Sequence, residues 1–186
     1  MSNEKVEGAS CFSISEFVFS CAWCALIIVG GFISIPIGVV PVALADFFVM
    51  LSSSLQTPLY ALFSASLYVI LGIIGFPVFA NGKAGLSVVL GPTGGFVIGY
   101  IIMAAFISLL LKVKFKKPYK NTILYFLTLI FANIILYTLG VLGLMLNAKL
   151  SFTKALAVGV IPFLIGTLVK ISVSFSVWKI VKKWKN

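Results

Sequence analysis

Long continuous apolar runs constrain the fold of this chain more than any other feature. Most reach about 20 residues, the length that an α-helix needs to cross the hydrocarbon core of a bilayer. None alternates polar and apolar residues as the strands of a transmembrane barrel do. Charged residues make up 10% of the chain, whereas soluble domains carry about 25%. The sequence therefore predicts an all-α integral membrane protein.

Six hydrophobic segments are visible, and we interpret them as transmembrane helices of a single domain, 1–186. The second segment is short, near the lower limit for a complete span. The chain shows no inverted internal repeat of the kind that marks many secondary transporters. The approximate boundaries of the segments are 13–36, 41–55, 58–78, 92–112, 119–146 and 155–178.

The lysines lie beside the apolar runs and predict the orientation in the membrane. Five fall in the loop at 112–120, four follow the sixth segment and one precedes the first, whereas Lys83, Lys149 and Lys154 fall on the opposite side. Loops rich in lysine stay in the cytoplasm. We therefore expect both termini and the loop 112–120 in the cytoplasm of a bacterial cell, and the loop 79–91 outside. This placement explains the net charge of +10 without nucleic-acid binding.

Residues 75–100 interrupt the apolar pattern with glycines, prolines and polar residues: GFPVFANGKAGLSVVLGPTGGFVIGY. Irregular backbone survives at membrane depth only where protein buries it or where it lines a cavity. Asn81 and Lys83 add a hydrogen-bonding group and a cation. Pro92 suits the first position of a helix, whose free N–H groups can hold an anion. The stretch predicts a lid and anion clamp for a small molecule; a plain extracellular loop is the alternative.

Three separated stretches carry a family resemblance. They are GFPVFANGKAG followed by GPTGG, IPIGVVPVAL at 35–44, and GVIPFLIGTLVK at 159–170. Together they resemble the BioY family, the biotin-binding S components of energy-coupling factor (ECF) transporters, over about residues 35–170. The resemblance implies a six-helix S-component bundle without a resident cofactor. It also implies a coupling transmembrane protein and two ATP-binding subunits as partners, and this chain has no Walker-type loop of its own.

The predicted site combines residues of these stretches with polar groups in neighbouring segments. Lys83 is the best-placed cation for a ligand carboxylate, helped by backbone N–H groups near Thr93. Asp46 is the only acid well inside a predicted span, where carboxylates are usually functional; a lysine-paired or interfacial carboxylate is the alternative. The predicted substrate-binding residues are Asp46, Phe79, Asn81, Lys83, Gly85, Thr93, Phe96, Asn133, Tyr137, Thr167 and Lys170.

Three of these predictions have structural alternatives. Asn133 and Tyr137 lie one turn apart in the fifth segment, so both can face a cavity, but they can equally form hydrogen bonds between helices. Lys170 matches a lysine to which the resemblance assigns ligand binding. It lies toward the cytoplasmic end of its segment, where a lysine can also extend to the membrane surface.

The ligand itself stays open because the chain departs from the family pattern. Ala43 and Ala45 stand where the family usually has Thr and Gln, Thr167 where it has Asp, and Phe96 where it has Tyr. Biotin's ureido ring has two N–H donors and a carbonyl, and burying each without a partner costs about 1–3 kcal/mol. These losses favour lipoate, whose dithiolane needs no such partners, whereas the resemblance favours biotin. We predict biotin, with lipoate as the alternative and Asp46 as a substitute acceptor.

Small residues on the first segment predict a contact face for the coupling protein. Cys21 and Ala25 form a small-xxx-small pattern with Gly30 and Gly31 nearby, and such faces let helices approach closely. Packing inside the bundle is the alternative. The cysteines, including Cys11, fit no metal-ligand spacing.

Other functional classes find little support in the sequence. The chain has no histidine and four acids, so catalytic triads and carboxylate pairs are excluded or unfavourable. The ring of polar residues that a channel filter needs is missing. A membrane protein with no transport role remains as a distant alternative, which would leave the glycine-rich signature unexplained.

Overall fold

The computed structural model describes residues 14–112 and 118–184, and these residues are predominantly helical. A short antiparallel pair of strands, β1 (Ser34–Ile35) and β2 (Val42–Ala43), separates the first two helices. The described helices are α1 (Ile14–Phe32), α2 (Ala45–Leu55), α3 (Pro58–Ile74), α4 (Leu86–Val89), α5 (Gly94–Leu110), α6 (Pro118–Asn147), α7 (Phe152–Gly159) and α8 (Ile161–Trp184).

Every predicted hydrophobic segment corresponds to an apolar helix or helix pair. Within the described ranges, three stretches are long and apolar enough to cross a membrane: Ile14–Phe32, Asn121–Asn147 and Phe152–Val181. Helices α2, α3 and α5 are apolar but shorter. The multi-pass helical architecture is confirmed, whereas the count of six complete spans stays a prediction.

The second segment begins later than predicted. Val42 and Ala43 pair with Ile35 and Ser34 in the β1–β2 hairpin, so α2 starts at Ala45 and has 11 residues. At 1.5 Å per residue, it is about 16 Å long, roughly half of the hydrocarbon core. The hairpin therefore takes the place of the first half of a membrane-spanning helix and leaves room for a pocket.

The helix ends form two groups of loops at opposite ends of the bundle. One group joins the hairpin to segment 75–93 through Ser34 and Asn81, and includes the end of α6, where Asn147 donates to the Gly91 carbonyl. The other end carries the exposed Lys112 and Lys179. This arrangement fits the predicted orientation, which stays a prediction. Most of the predicted basic loop, at 113–117, lies outside the described residues, as does Cys11.

Glycines set the distance between α5 and α6. A Cβ atom on Gly95 would lie 2.1 Å from the carbonyl oxygen of Leu139, and one on Gly143 would lie 2.9 Å from the Cα atom of Gly95. Both distances are shorter than van der Waals contact allows, so only glycine permits this crossing. The close contact fixes the wall of the bundle that carries Phe96.

The small residues of α1 divide between two faces, which corrects part of the predicted coupling surface. Cys21 is half-buried and Ala25 is exposed, so they remain available to a partner. Gly30 and Gly31 are buried, and added Cβ atoms would meet the backbone of Leu44 and Val78. These two glycines pack the bundle internally, because the C-terminal end of α1 lies against the start of α2 and the glycine-rich segment.

Candidate ligand-binding site

Segment 75–93 folds over one end of the bundle as an ordered cover. Gly75 ends α3 with φ 119°, and the backbone then turns so that the Phe79 N–H donates to the Lys83 carbonyl at 3.0 Å. The Gly85 N–H donates to the Gly72 carbonyl at 2.7 Å, which ties the cover to α3. The predicted lid is therefore formed by hydrogen-bonded turns.

Asn81 attaches this cover to the β1–β2 hairpin. Its φ of 60° lies in the left-handed region, which asparagine tolerates better than most residues. The Ser34 hydroxyl donates to the Asn81 side-chain oxygen at 2.8 Å and accepts from the Asn81 backbone N–H at 3.1 Å. The side chain of Asn81 thus joins two loops and does not line the space beneath them.

A pocket of about 670 Å³, open space at its mouth included, lies beneath the cover. Its wall is mainly apolar and aromatic, with a few convergent polar groups, as small-molecule sites require. The polar and charged lining residues are Asp46, Tyr68, Lys83, Thr93, Tyr100 and Tyr137.

Aromatic rings form two sides of the pocket. On one side Tyr68 packs edge-on to Phe79, with ring centroids 5.6 Å apart, and lies 6.1 Å from Tyr100. On the other side Phe96 stacks with Phe163 at 6.1 Å, and Tyr137 lies 6.1 Å from Phe163. Such rings provide a large, rigid apolar surface for a ring or hydrocarbon chain.

The positions of two of these aromatic rings depend on glycines in neighbouring helices. A Cβ atom on Gly72 would lie 2.1 Å from the Phe79 ring, and one on Gly140 would lie 2.2 Å from the Phe96 ring. Each ring therefore occupies the space that a side chain on the glycine would fill. The pocket depends on glycines in α3 and α6 that do not line it.

The mouth of the pocket carries Lys83, whose side chain is exposed. Thr93 also lines the pocket, as the N-cap of α5. The helix begins at Gly94, so Pro92 lies before the cap instead of at the predicted first helical position. The N–H groups of Gly94 and Phe96 donate to the carbonyls of Gly91 and Thr93. Tight turns thus occupy two donors of the predicted anion clamp, and Lys83 is its main element.

The inner wall carries a buried ion pair between α2 and α8. The Lys170 ammonium donates to both oxygens of Asp46, at 2.7 and 2.9 Å, and to the Ala43 carbonyl at 2.7 Å. Asp46 is 6% exposed and Lys170 is 7% exposed. Helical side chains point toward the N-terminus of their helix, so the ammonium reaches back from the third turn of α8 to the start of α2. Lys170 does not extend to the membrane surface.

Comparison with known proteins identifies the family. The sequence model of the BioY family matches residues 2–186. The chain belongs to the BioY family. A biotin transporter BioY of Thermotoga maritima is 40% identical over 151 residues, which cover 81% of this chain and 85% of that protein. BioY2 of Lactococcus lactis, also a biotin transporter, is 35% identical over 147 residues, 78% of each chain.

A solved structure supports the same assignment at the level of the fold. The S component for biotin from an ECF-type ABC transporter matches with a TM-score of 0.82 and 25% sequence identity, covering 95% of both chains. The predicted S-component architecture is thereby confirmed. The family is one of transporters and not of enzymes.

Six of the predicted site residues line the pocket of this BioY-family protein: Asp46, Phe79, Lys83, Thr93, Phe96 and Tyr137. Five do not, and the structure gives each another contact. Asn81 bonds Ser34, Gly85 ties the cover to α3, and Lys170 lies behind Asp46. The Thr167 hydroxyl forms a hydrogen bond with the Tyr137 hydroxyl and donates to the Phe163 carbonyl.

Asn133 lies deeper and follows its structural alternative. Its amide nitrogen donates to the Leu129 carbonyl at 2.8 Å and contacts the Met50 sulfur at 3.4 Å. It is 3% exposed and connects α6 with α2 below the pocket. Its side-chain oxygen is buried without a partner among the described residues.

The sequence analysis missed three aromatic residues of the wall: Tyr68, Tyr100 and Phe163. Tyr68 and Tyr100 carried a usable signal, because each places a hydroxyl inside an apolar segment, and a buried tyrosine hydroxyl usually has a hydrogen-bond partner. Phe163 carried no such signal, since a phenylalanine in a membrane helix packs equally well against lipid.

Proposed function

We propose that this BioY-family chain is the S component that captures biotin from outside the cell for an ECF-type ABC transporter. The observation that carries the proposal is the pocket with a cation at its mouth, Lys83, and a carboxylate in its inner wall, Asp46. Relatives named biotin transporters and the structural match to an S component for biotin support this reading.

The two charged ends of the pocket suit the two ends of biotin. Lys83 is placed to bind the carboxylate of the ligand through a charge-assisted hydrogen bond. The hydrocarbon chain and the fused rings lie between the aromatic walls. The ureido ring then reaches the depth of Asp46, which offers an acceptor for one of the ring N–H groups. Asp46 thus provides a hydrogen-bond partner for the ureido ring, although Ala43 and Ala45 stand where the family usually has polar residues.

Lipoate fits the same pocket less well. Its carboxylate can also bind Lys83, but its dithiolane brings no donor to the inner wall. The free acceptor sites of Asp46 would then be covered by an apolar ring, and a covered acceptor without a partner costs about 1–3 kcal/mol. The absence of the family's usual polar residues favoured lipoate, whereas the carboxylate of Asp46 in the inner wall favours biotin.

Titration of the purified protein with biotin and with lipoate tests the proposal. We expect tight binding of biotin and at least 100-fold weaker binding of lipoate, the discrimination of a site whose polar groups are left unpaired by the wrong ligand. Binding of lipoate without binding of biotin would overturn the assignment.

The coupling protein and two ATP-binding subunits complete the proposed transporter and supply the energy. The half-buried Cys21 and the exposed Ala25 lie on a face of α1 that another helix can approach closely. We expect Cys21→Leu or Ala25→Leu to abolish biotin uptake by the assembled complex and to leave titration of the isolated protein unchanged. Equal loss of binding would instead indicate a packing role.

The orientation follows from the lysine distribution. With both termini in the cytoplasm, the pocket opens to the outside. In a cysteine-free background, Lys83→Cys should react with a membrane-impermeant thiol reagent added to intact cells. Protection at this position would reverse the proposed orientation.

A further inference from the structure

The Lys170 ammonium has no donor left for a ligand. An ammonium carries three N–H donors, and three oxygens lie within 2.9 Å of the Lys170 nitrogen: both carboxylate oxygens of Asp46 and the carbonyl oxygen of Ala43. Lys170 is also absent from the pocket lining, whereas Asp46 is part of it. Of the two residues of the ion pair, Asp46 therefore lines the pocket and Lys170 does not.

Asp46 retains acceptor capacity toward the pocket. A carboxylate offers about four lone-pair sites over its two oxygens, and Lys170 occupies one site on each oxygen. Each oxygen thus keeps a site for an incoming N–H group. Lys170, which lies outside the pocket lining, balances the charge of the carboxylate. One of these sites can accept an N–H group of a ureido ring. The two N–H bonds of a cyclic urea point away from each other, so a single carboxylate receives one of them.

The backbone fixes the position of this pair. Ala43 belongs to β2 and pairs with Ser34 of β1, so the carbonyl that binds Lys170 is part of the hairpin. The neighbouring Leu44 N–H donates to the carbonyls of Gly30 and Ile33. The ammonium is consequently held between a braced loop and α2, which is the support that a preorganised site requires.

We infer that Asp46 is the acceptor for an N–H group of the ligand ring and that Lys170 is a positioning residue acting through Asp46. This inference rests on the proposed biotin-binding function. It makes Asp46, on α2, the specificity determinant of the inner wall. It differs from the prediction that Lys170 contacts the ligand.

The position of Thr167 suggests how the site can be rearranged. Thr167 precedes Lys170 by three residues on α8, and both are buried on the inner side of the bundle. Residues at i and i+3 are neighbours on a helix surface, so an aspartate at 167 would face the same ammonium. A carboxylate on either helix can therefore pair with Lys170, and in this chain α2 provides it.

The experiment titrates each purified variant with biotin and with biotin methylated on both ureido nitrogens. The wild-type protein should prefer biotin, and Asp46→Asn should weaken biotin binding by on the order of 100-fold, as expected for losing hydrogen bonds to a charged group. Asp46→Asn should also abolish the preference between the two ligands. Ser174→Ala is the matched control, because Ser174 lies on the same face of α8 but bonds Tyr125; it should leave the preference intact.

A double-mutant cycle separates positioning from direct contact. Lys170→Met should weaken biotin binding in the wild-type background and have no further effect in the Asp46→Asn background. A further loss in that background would show that Lys170 contacts the ligand and would overturn the positioning role. A general structural defect would lower binding of both ligands equally and leave the preference unchanged, which would overturn the role of Asp46.

A relocation variant keeps the inference testable if Asp46→Asn fails to fold. Asp46→Ser/Thr167→Asp retains a carboxylate opposite Lys170 and should regain at least tenfold of the preference for biotin relative to Asp46→Ser. No gain would count against the inference. If wild-type protein binds only lipoate, the proposed function fails and the inference falls with it. If the wild type binds biotin but Asp46→Asn keeps its preference, the inference alone fails.

Discussion

One lysine lies at the mouth of the pocket and another lies behind its inner wall, and the two lysines are in opposite environments. Lys83 lies exposed on a loop, where water and salt compete for its charge. Lys170 is buried and makes three contacts to oxygen atoms. An exposed cation can be lost at small cost to the fold, whereas a buried one cannot be lost without leaving its partner uncompensated. We therefore expect the same residue type to affect ligand binding alone at the mouth, and both structure and binding behind the inner wall.

Removing the buried cation should give the largest effect. Lys170→Met leaves Asp46 buried without its counter-ion, and breaking such a pair costs about 3–5 kcal/mol of stability. We expect a correspondingly lower unfolding temperature of the unliganded protein in detergent. The double variant Asp46→Leu/Lys170→Met removes both charges and should recover most of the loss. Equal destabilisation of the single and double variants would show that the pair has no special role in the fold.

A change behind the aromatic wall should give a smaller effect. Gly72→Ala places a methyl group 2.1 Å from the present position of the Phe79 ring, so the ring must move toward the pocket. Overpacking of this kind costs about 1–3 kcal/mol, and we expect most of it to appear as weaker biotin binding in calorimetric titration. Gly38→Ala is a control for a glycine with open space around it, although its φ of 67° adds local strain. Unchanged biotin binding in Gly72→Ala would show that the Phe79 ring moves without entering the pocket and would contradict the prediction.

The sequence predicts the two ends of the pocket to different extents, for a physical reason. Lys83 was predictable because a cation in a glycine-rich outer loop has few structural roles. The apolar segments likewise predicted the helices, since a lipid environment leaves a chain few alternatives. The sequence raised a lysine-paired Asp46 only as an alternative and did not indicate Lys170 as its partner, because 124 positions separate the two residues and the contact depends on how α8 packs against α2.

The hairpin and the contacts of two polar residues could not be predicted from the sequence, for related reasons. Residues 41–44 are as apolar as a helix, and only their pairing with 34–35 makes them a strand. Asn81 and Thr167 carry polar groups suited to a ligand, yet each bonds a neighbouring element, because side-chain hydrogen bonds between elements use the same residue types as ligand sites. Residue type thus located the site, and tertiary packing assigned the roles within it.

Removing the exposed cation should affect binding and not stability. Lys83→Ala should weaken biotin binding by roughly tenfold, the value of a partly solvated charge-assisted hydrogen bond, and leave the unfolding temperature within about 1 °C. The effect should shrink as salt is raised, because exposed charges are screened. Lys149→Ala is the matched control, since Lys149 is also exposed but does not line the pocket. A large loss of stability in Lys83→Ala would remove the contrast with Lys170.

The smallest effect should come from the contact that holds the cover to the hairpin. Asn81 and Ser34 share two hydrogen bonds, each contributing about 0.5–1.5 kcal/mol, and both groups are near the surface. If Asn81 acts through Ser34, then Asn81→Ala and Ser34→Ala should weaken biotin binding by similar factors of about two to ten. The double variant should then lose no more than either single variant, because the same contact is removed in all three. Calorimetric titration of the four proteins makes this comparison. A much larger loss in Asn81→Ala than in Ser34→Ala would mean that Asn81 turns to the ligand when the pocket is filled, and the mouth would then contain two binding side chains.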